Sequence, residues 1–147
     1  MGFRGHEAIS RPYAFEVYVT VASEESHELD LGDAVSSKAT LTLDRQDGRP
    51  PFAFHGILAE VSLIHEMGGR ALVRALLVPR LWQLGQTFHS RIFTGMSIPD
   101  IIKETLEDGG LSSDEYVFKL VEQYKSEEHV CQYQESHLDF VSRWMER

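Results

Sequence analysis

Cysteine is nearly missing from the sequence: Cys131 is the single one among 147 residues. It cannot close an internal disulfide, which fits synthesis in a reducing compartment, and the usual burial of free cysteines predicts a small core residue beside Val130 and Tyr133. Positive charge is also scarce. Fourteen Lys and Arg against 23 Asp and Glu leave a net charge of -9, which argues against a general nucleic-acid surface. No run approaches the roughly 18 consecutive apolar residues of a membrane span, and the N-terminus has no signal-peptide apolar core. Nucleophile elbows of the G-x-S-x-G kind and Gly-rich phosphate loops are absent as well.

What is present is ordinary globular material. The 42% hydrophobic and 25% charged fractions exclude wholesale disorder, and a chain of this length buries roughly 70% of its unfolded surface. Arg11 to Val21 alternates, with Tyr13, Phe15, Val17, Val19 and Val21 on one side and Glu16, Tyr18 and Thr20 on the other, the pattern of a half-buried strand. Residues 23–30 are acidic and aperiodic and read as a solvated loop. Lys38 to Asp44 alternates again through Ala39, Leu41 and Leu43. Asp47-Gly48, followed by Pro50-Pro51, reads as a hairpin connection. A long strand from Phe52 to His65 follows, and Gly68-Gly69 turns it back into Ala71 to Val78. The long strand reads as apolar on both faces, Ile57, Ala59, Val61 and Leu63 on one and Phe52, Phe54, Leu58 and Ile64 on the other. That doubled pattern predicts a covered second face, so Phe52, Phe54, Leu58 and Ile64 are the candidate buried or subunit-interface wall.

Two helix starts are written into the second half. Ser97 is placed to cap a helix with Pro99 in its first turn and Asp100 three residues on, and Ile98, Ile101, Ile102, Thr105 and Leu106 form its apolar stripe. Gly109-Gly110 supplies the stop. Ser136, with Asp139 three residues later, opens a second helix whose stripe reads Leu138, Val141, Trp144 and Met145. Glu115 to Val121 and Glu128 to Tyr133 read as short strands between the helices. Glu107 and Asp108 sit at the negative end of the first helix, a placement that helix electrostatics disfavours.

Candidate chemistry is thin. His65-Glu66 begins like a zinc-protease motif, but Gly69 stands where a histidine is needed. His129 and Cys131 would share a strand face without a second ligand pair. The other histidines, His6, His27, His55, His89 and His137, are scattered, and His55 reads as a packed strand residue. Arg80 and Arg91 flank Trp82 and can either clamp a partner carboxylate or serve internally, by ion pairing or by lying over Trp82; the internal role is favoured for Arg91. We assign no catalytic, metal or cofactor-binding residue.

Several segments, taken in order, resemble the N-terminal region of VgrG proteins, tip and hub components of bacterial type VI secretion systems related to phage baseplate hubs. They are Phe3-Arg4-Gly5-His6-Glu7-Ala8-Ile9-Ser10 with Arg11-Pro12-Tyr13-Ala14-Phe15-Glu16-Val17, then Phe54-His55-Gly56-Ile57. Pro79-Arg80-Leu81-Trp82, Ser90-Arg91-Ile92-Phe93 and Ser97-Ile98-Pro99-Asp100 follow, and the last runs from Gln132 through Glu135, Ser136, Asp139 and Phe140 to Glu146. The resemblance implies a mainly β protein with α elements (α+β): an antiparallel tail-tube-type barrel over residues 1–80, lacking its first strand, then a helix-strand-strand-helix segment over 81–147 that begins a second hub subdomain. On that reading the chain is cut short in mid-helix at Arg147. The resemblance also implies structural roles for Phe54, Gly56, Pro79, Leu81, Trp82, Arg91, Phe93, Ser97, Pro99, Asp100, Glu135, Ser136, Asp139 and Phe140. The implied partners are two further copies in a homotrimer, a hexameric tube protein, and spike or effector proteins, with no nucleic acid and no membrane anchor. Assembly in the bacterial cytoplasm and expulsion without a signal peptide are expected. Two other readings compete, a free-standing peptide or effector adaptor and a hydrolase fragment; an exposed strand edge would favour the first, a charged cluster in a pocket the second.

Overall fold

The computed structural model describes residues 1–22 and 31–147, so the acidic segment 23–30, with His27, lies outside the described residues. The chain divides into two compact units, Met1–Arg80 and Leu81–Arg147.

The first unit is one antiparallel sheet of five strands: β1 (Gly2–Ala8), β2 (Arg11–Ala22), β3 (Lys38–Leu43), β4 (Phe52–Met67) and β5 (Arg70–Val78), in the order β1-β2-β5-β4-β3. A four-residue helix, α1 (Leu31–Ala34), precedes β3. The expected closed barrel is corrected to an open, curled sheet, because among the described residues β1 pairs only with β2 and β3 only with β4. Strand β1 is exposed along its whole length, and with no apolar alternation to announce it, the sequence reading passes it over.

Turn chemistry sets the hairpins. Gly68 and Gly69 both take positive φ between β4 and β5, a conformation glycine adopts without steric cost. Between β3 and β4, Asp44 and Asp47 side chains accept hydrogen bonds from the backbone N–H groups of Gln46 and Arg49, as Asx turns do. Gly56 answers a different demand. A Cβ there would lie 2.0 Å from the Val78 carbonyl oxygen, so only glycine lets β4 meet the end of β5.

The face assignment of β4 also needs correction. Bulges between Leu58 and Glu60 and between Leu63 and His65 shift the alternation, each inserting an unpaired residue. Leu58, Val61 and Leu63 consequently pair with Leu77, Ala75 and Val73 and share one face, whereas Ile57 pairs with Val78 on the other. Phe15, Leu41 and Leu77 form the buried centre of the first face, with Tyr13, Val17, Ala39, Leu43, Phe54 and Leu58 packed around them. Of the candidate wall, then, Phe54 and Leu58 join this core, while Phe52 and Ile64 stand 49% and 51% exposed.

A 3-10 turn (Arg80–Gly85) begins at the last residue of the first unit and leads into the second, which continues with β6 (Phe88–Phe93), β7 (Met96–Ser97), α2 (Ile98–Asp108), β8 (Ser126–Glu127), β9 (Val130–Ser136) and α3 (His137–Met145). Strand β6 pairs with β9, and β7 with β8. Glu115 to Val121 is not a strand: it makes no ladder, and Val117, Leu120 and Val121 are exposed. Its apolar, β-prone sequence has no neighbouring strand among the described residues to complete it. Ser126-Glu127 pairs instead with Met96-Ser97.

Both helices start at a serine with extended φ and ψ. The Ser97 and Ser136 hydroxyl oxygens accept from the Asp100 and Asp139 N–H groups at 3.4 and 3.0 Å, satisfying donors a helix start leaves open. Helix α2 buries Ile101, Ile102, Thr105 and Leu106; each apolar member contributes about 1.5 to 3 kcal/mol on full burial. Gly110, at φ 86°, ends the helix and donates to the Glu107 carbonyl. Helix α3 buries His137, Phe140 and Val141, not the expected Met145, which is exposed. Leu84, Phe93, Leu111 and Val130 complete the core between them.

Candidate functional site

The most constrained group of polar side chains lies in the second unit, where α2, β6, β9 and α3 converge on Gln132. This side chain is fully buried on the inward face of β9. Its Oε1 accepts from Arg91 Nε at 3.2 Å, and its Nε2 lies 3.1 Å from the Glu135 carbonyl and 3.1 Å from His137 Nδ1. Arg91 continues outward: its other nitrogens donate to Thr105 Oγ1 at 3.1 Å and Asp108 Oδ2 at 3.2 Å, and its guanidinium lies 4.7 Å from the Phe93 ring centre. The favoured internal role for Arg91 is what the structure shows, with Phe93 instead of Trp82 beneath it.

Asp108 therefore has a purpose that helix electrostatics alone does not reveal. Its carboxylate receives Arg91 on one side and His137 Nε2, at 3.2 Å, on the other. Glu107, beside it, accepts from the Tyr116 hydroxyl at 3.2 Å. Cation partners within reach offset the unfavourable end of the helix.

His137 is 2% exposed, and its ring stacks on His89 at 3.7 Å and 7°. The network fixes its tautomer. Arg91 can only donate, so Gln132 presents its oxygen to Arg91 and its amide nitrogen to His137. Nδ1 must accept, and the ring proton belongs on Nε2, facing Asp108. Burial, then the neighbouring His89 and Arg91, hold the imidazole below its ordinary value of 6.5 against the opposing pull of Asp108.

A bulge makes room for this packing. Between the pairs His89–Glu135 and Arg91–Gln132, β9 carries the extra residue, with Gln134 at φ 47° and its N–H satisfied by Ser90 Oγ at 3.0 Å. Glu135 is held by Arg143 at 2.6 Å. The motif residues thus gather at junctions: Arg91 and Glu135 in polar contacts, Phe93 stacked on Phe140 at 5.7 Å, and Leu81 packed on the core. Pro79 and Trp82 are half-buried; Ser97, Asp100, Ser136 and Asp139 form the two helix starts, with Pro99 in the first turn of α2.

Sequence reasoning missed His137 and Gln132. A histidine at the first position of a capped helix, five residues after a polar residue inside a strand, is the signal that points to them. Two other expectations are corrected. Cys131 is exposed, because Gln132 takes the inward position on β9. His55 is exposed too, bonding Thr40 across β3 at 2.9 Å while its carbonyl accepts from the Tyr13 hydroxyl. His129 precedes β9 and lies 3.9 Å from Glu128. Among the described residues no group of three or more His, Cys, Asp or Glu could hold a metal ion, and no helix is long and apolar enough to cross a membrane.

In the first unit, the polar face of the sheet carries a cross-strand array. Arg4 meets Glu16 at 2.8 Å, Tyr18 donates to Glu16 at 2.7 Å, and Arg74 meets Glu60 at 2.5 Å. Tyr18 and Arg4 hold the Glu16 carboxyl below its ordinary range. Both units use their charged residues to tie one element to the next, the arrangement of a structural module. The model of the family described as phage tail baseplate hub (GPD) matches residues 6–147, and the chain belongs to that family.

Individual relatives agree. The chain is 37% identical over 143 residues to type VI secretion system spike protein VgrG1b of Pseudomonas aeruginosa, covering 97% of this chain and 18% of that protein. Spike protein VgrG3 of Vibrio cholerae is 33% identical over 150 residues, covering 97% and 14%. The solved structure of the E. coli c3393 protein, a type VI secretion system component with structural similarity to the T4 tail proteins gp27 and gp5, superposes with a TM-score of 0.86. It shares 22% identity over 97% of this chain and 38% of that one, a likeness of fold. The chain thus spans about a fifth or less of the length of these curated relatives.

Proposed function

We propose that this chain is a non-enzymatic structural part of the hub of a contractile injection machine, joining a hexameric tube to a trimeric spike for effector delivery. The family match over residues 6–147 carries this reading. In it, the first unit forms part of a tail-tube-type barrel wall and the second begins the next hub subdomain. Three copies of the full-length protein meet the tube on one side and the spike or effector on the other, and the assembly is built in the bacterial cytoplasm and then expelled.

The apolar wall belongs to the same proposal. Phe52 and Ile64 are half exposed on the isolated chain, and a subunit boundary would cover them while Phe54 and Leu58 hold the core beneath. Light scattering on the full-length gene product, alone and mixed with the tube protein encoded near it, tests the assembly. A trimer that gains mass in steps of one hexameric ring supports the hub. In Ile64→Glu or Phe52→Glu the chain should keep its fold while the trimer is lost; a trimer unchanged by both would remove these residues from the interface.

One observation favours a second reading, an adaptor that adds a partner's strand. β1 and β3 each leave an edge unpaired among the described residues, the geometry that strand addition uses. A monomer indifferent to the tube ring would select it.

A further inference from the structure

We infer that the His89–His137 stack is an acid-operated latch, holding α3 against α2, β6 and β9 while His137 is neutral and releasing it when the ring takes a second proton. The inference is independent of the hub reading. It rests on two hydrogen bonds and a close contact whose polarity runs one way: Arg91 Nε donates to Gln132 Oε1, Gln132 Nε2 donates to His137 Nδ1, and His137 Nε2 lies 3.2 Å from Asp108 Oδ2.

A proton arriving at Nδ1 meets the Gln132 amide nitrogen, donor against donor at 3.1 Å. Turning the Gln132 amide over offers no escape. That rotation would aim its nitrogen at Arg91 Nε and move the conflict 3.2 Å along the chain, in a side chain with no access to water. The charge itself is equally unwelcome. His137 is the first residue of α3, at the helix's positive end, with Arg91 on one flank and His89 stacked on its face.

The charged groups facing the ring are Asp108 from α2 and His89 and Arg91 from β6; on β9, Glu135 is already engaged by Arg143 at 2.6 Å. Among the described residues Asp108 is the single acid in direct contact, and it already serves Arg91. His89 is itself held by Thr87 Oγ1 at 2.8 Å from Nε2, so its ring stays in place on β6 and His137 is the ring free to move. The relief open to a doubly protonated His137 is to leave, and the N-terminal turn of α3 leaves with it.

The direction of the effect follows from linkage. The ring's affinity for protons is lower in the folded unit than in the unfolded chain, where 6.5 applies. The unfolded form thus binds more protons below that value, and stability falls as pH drops from about 6.5 until the folded value is passed.

Amide hydrogen exchange on the 147-residue chain between pH 8 and 5, each rate divided by its intrinsic chemical rate, reads the latch directly. Protection of β9 and α3 should fall by up to about tenfold per pH unit below 6.5, while β4 and β5 keep theirs. At pH 8, the 15N shifts of His137 should show the proton on Nε2. Gln132→Glu supplies an oxygen to a proton on Nδ1, and should abolish or reverse the loss of protection. Protection of β9 and α3 that does not change with pH, or a proton on Nδ1 at pH 8, would overturn the inference. So would a folded Gln132→Glu variant with the wild-type slope; if that variant does not fold, the two wild-type readings decide.

Discussion

The two units of this chain solve stability in opposite ways. The first spreads it along hydrogen-bonded ladders: five strands, a buried centre of Phe15, Leu41 and Leu77, and a polar face tied by Arg4–Glu16 and Arg74–Glu60. The second concentrates it. Nine buried apolar side chains and a buried polar chain through Gln132 knit two short helices to a two-stranded ribbon. A two-stranded ribbon is marginal alone, so the second unit depends on a few contacts that must all be present. The first tolerates the loss of one exposed pair because each strand keeps its ladder.

The sharpest test of that contrast is Phe140→Ala. Phe140 is fully buried and stacked on Phe93, and the truncation should cost about 3 to 5 kcal/mol. Both tryptophans, Trp82 and Trp144, lie in the second unit, so their fluorescence in urea should report its early loss while exchange protection in β2, β4 and β5 persists. Loss of both together would show that the units fold as one.

Gly56→Ala strikes the other unit at a point where tolerance fails. The added Cβ meets backbone, the Val78 carbonyl, at 2.0 Å, and the strands must shift at a cost of about 1 to 3 kcal/mol or more. Urea titration followed by exchange in β4 and β5 should place the damage in the first unit and leave tryptophan fluorescence unaltered.

Acid should separate the units next. Glu16, held below its ordinary 4.5 by Tyr18 and Arg4, contributes stability present above that value and lost only as pH falls through its lower folded one. His137 weakens the second unit already below 6.5. Circular dichroism melts at pH 7 and 5 should show the second unit softening while the first holds; an equal response from both would end the distinction.

Smaller effects grade the helix starts. Ser136→Ala should lower stability by about 1 kcal/mol, and Ser97→Ala by less, because its bond to the Asp100 N–H is longer, 3.4 against 3.0 Å. Thermal melts that rank the two the other way would show that the cap distance does not govern the cost. Lys103→Ala, which removes a 4.0 Å contact to Glu107 on exposed α2 surface, should change stability by less than about 0.5 kcal/mol.

The helix starts, the β2 to β5 strands and their hairpins were legible because each rests on neighbours in sequence: Ser97 with Asp100, Ser136 with Asp139, Gly68 with Gly69. Motif residues such as Arg91 and Glu135 were visible as a family pattern, but their partners were not, since Arg91 reaches Asp108 and Gln132 across the unit. β1 escaped because an exposed edge strand needs no apolar alternation. Glu115 to Val121 misled for the reverse reason, having an apolar, β-prone sequence without a partner strand among the described residues.

By itself, the sequence determined where the chain turns and caps, the -9 charge and the family to which it belongs, all properties carried by local spacing or by residue identity in order. Tertiary structure alone decided that the sheet stays open, that two bulges bring Leu58, Val61 and Leu63 to one face, and that His137 is buried against His89 with its proton directed at Asp108. Those outcomes depend on ladders and hydrogen bonds between residues far apart in sequence, and hydrogen-bond direction is settled only when donor and acceptor meet.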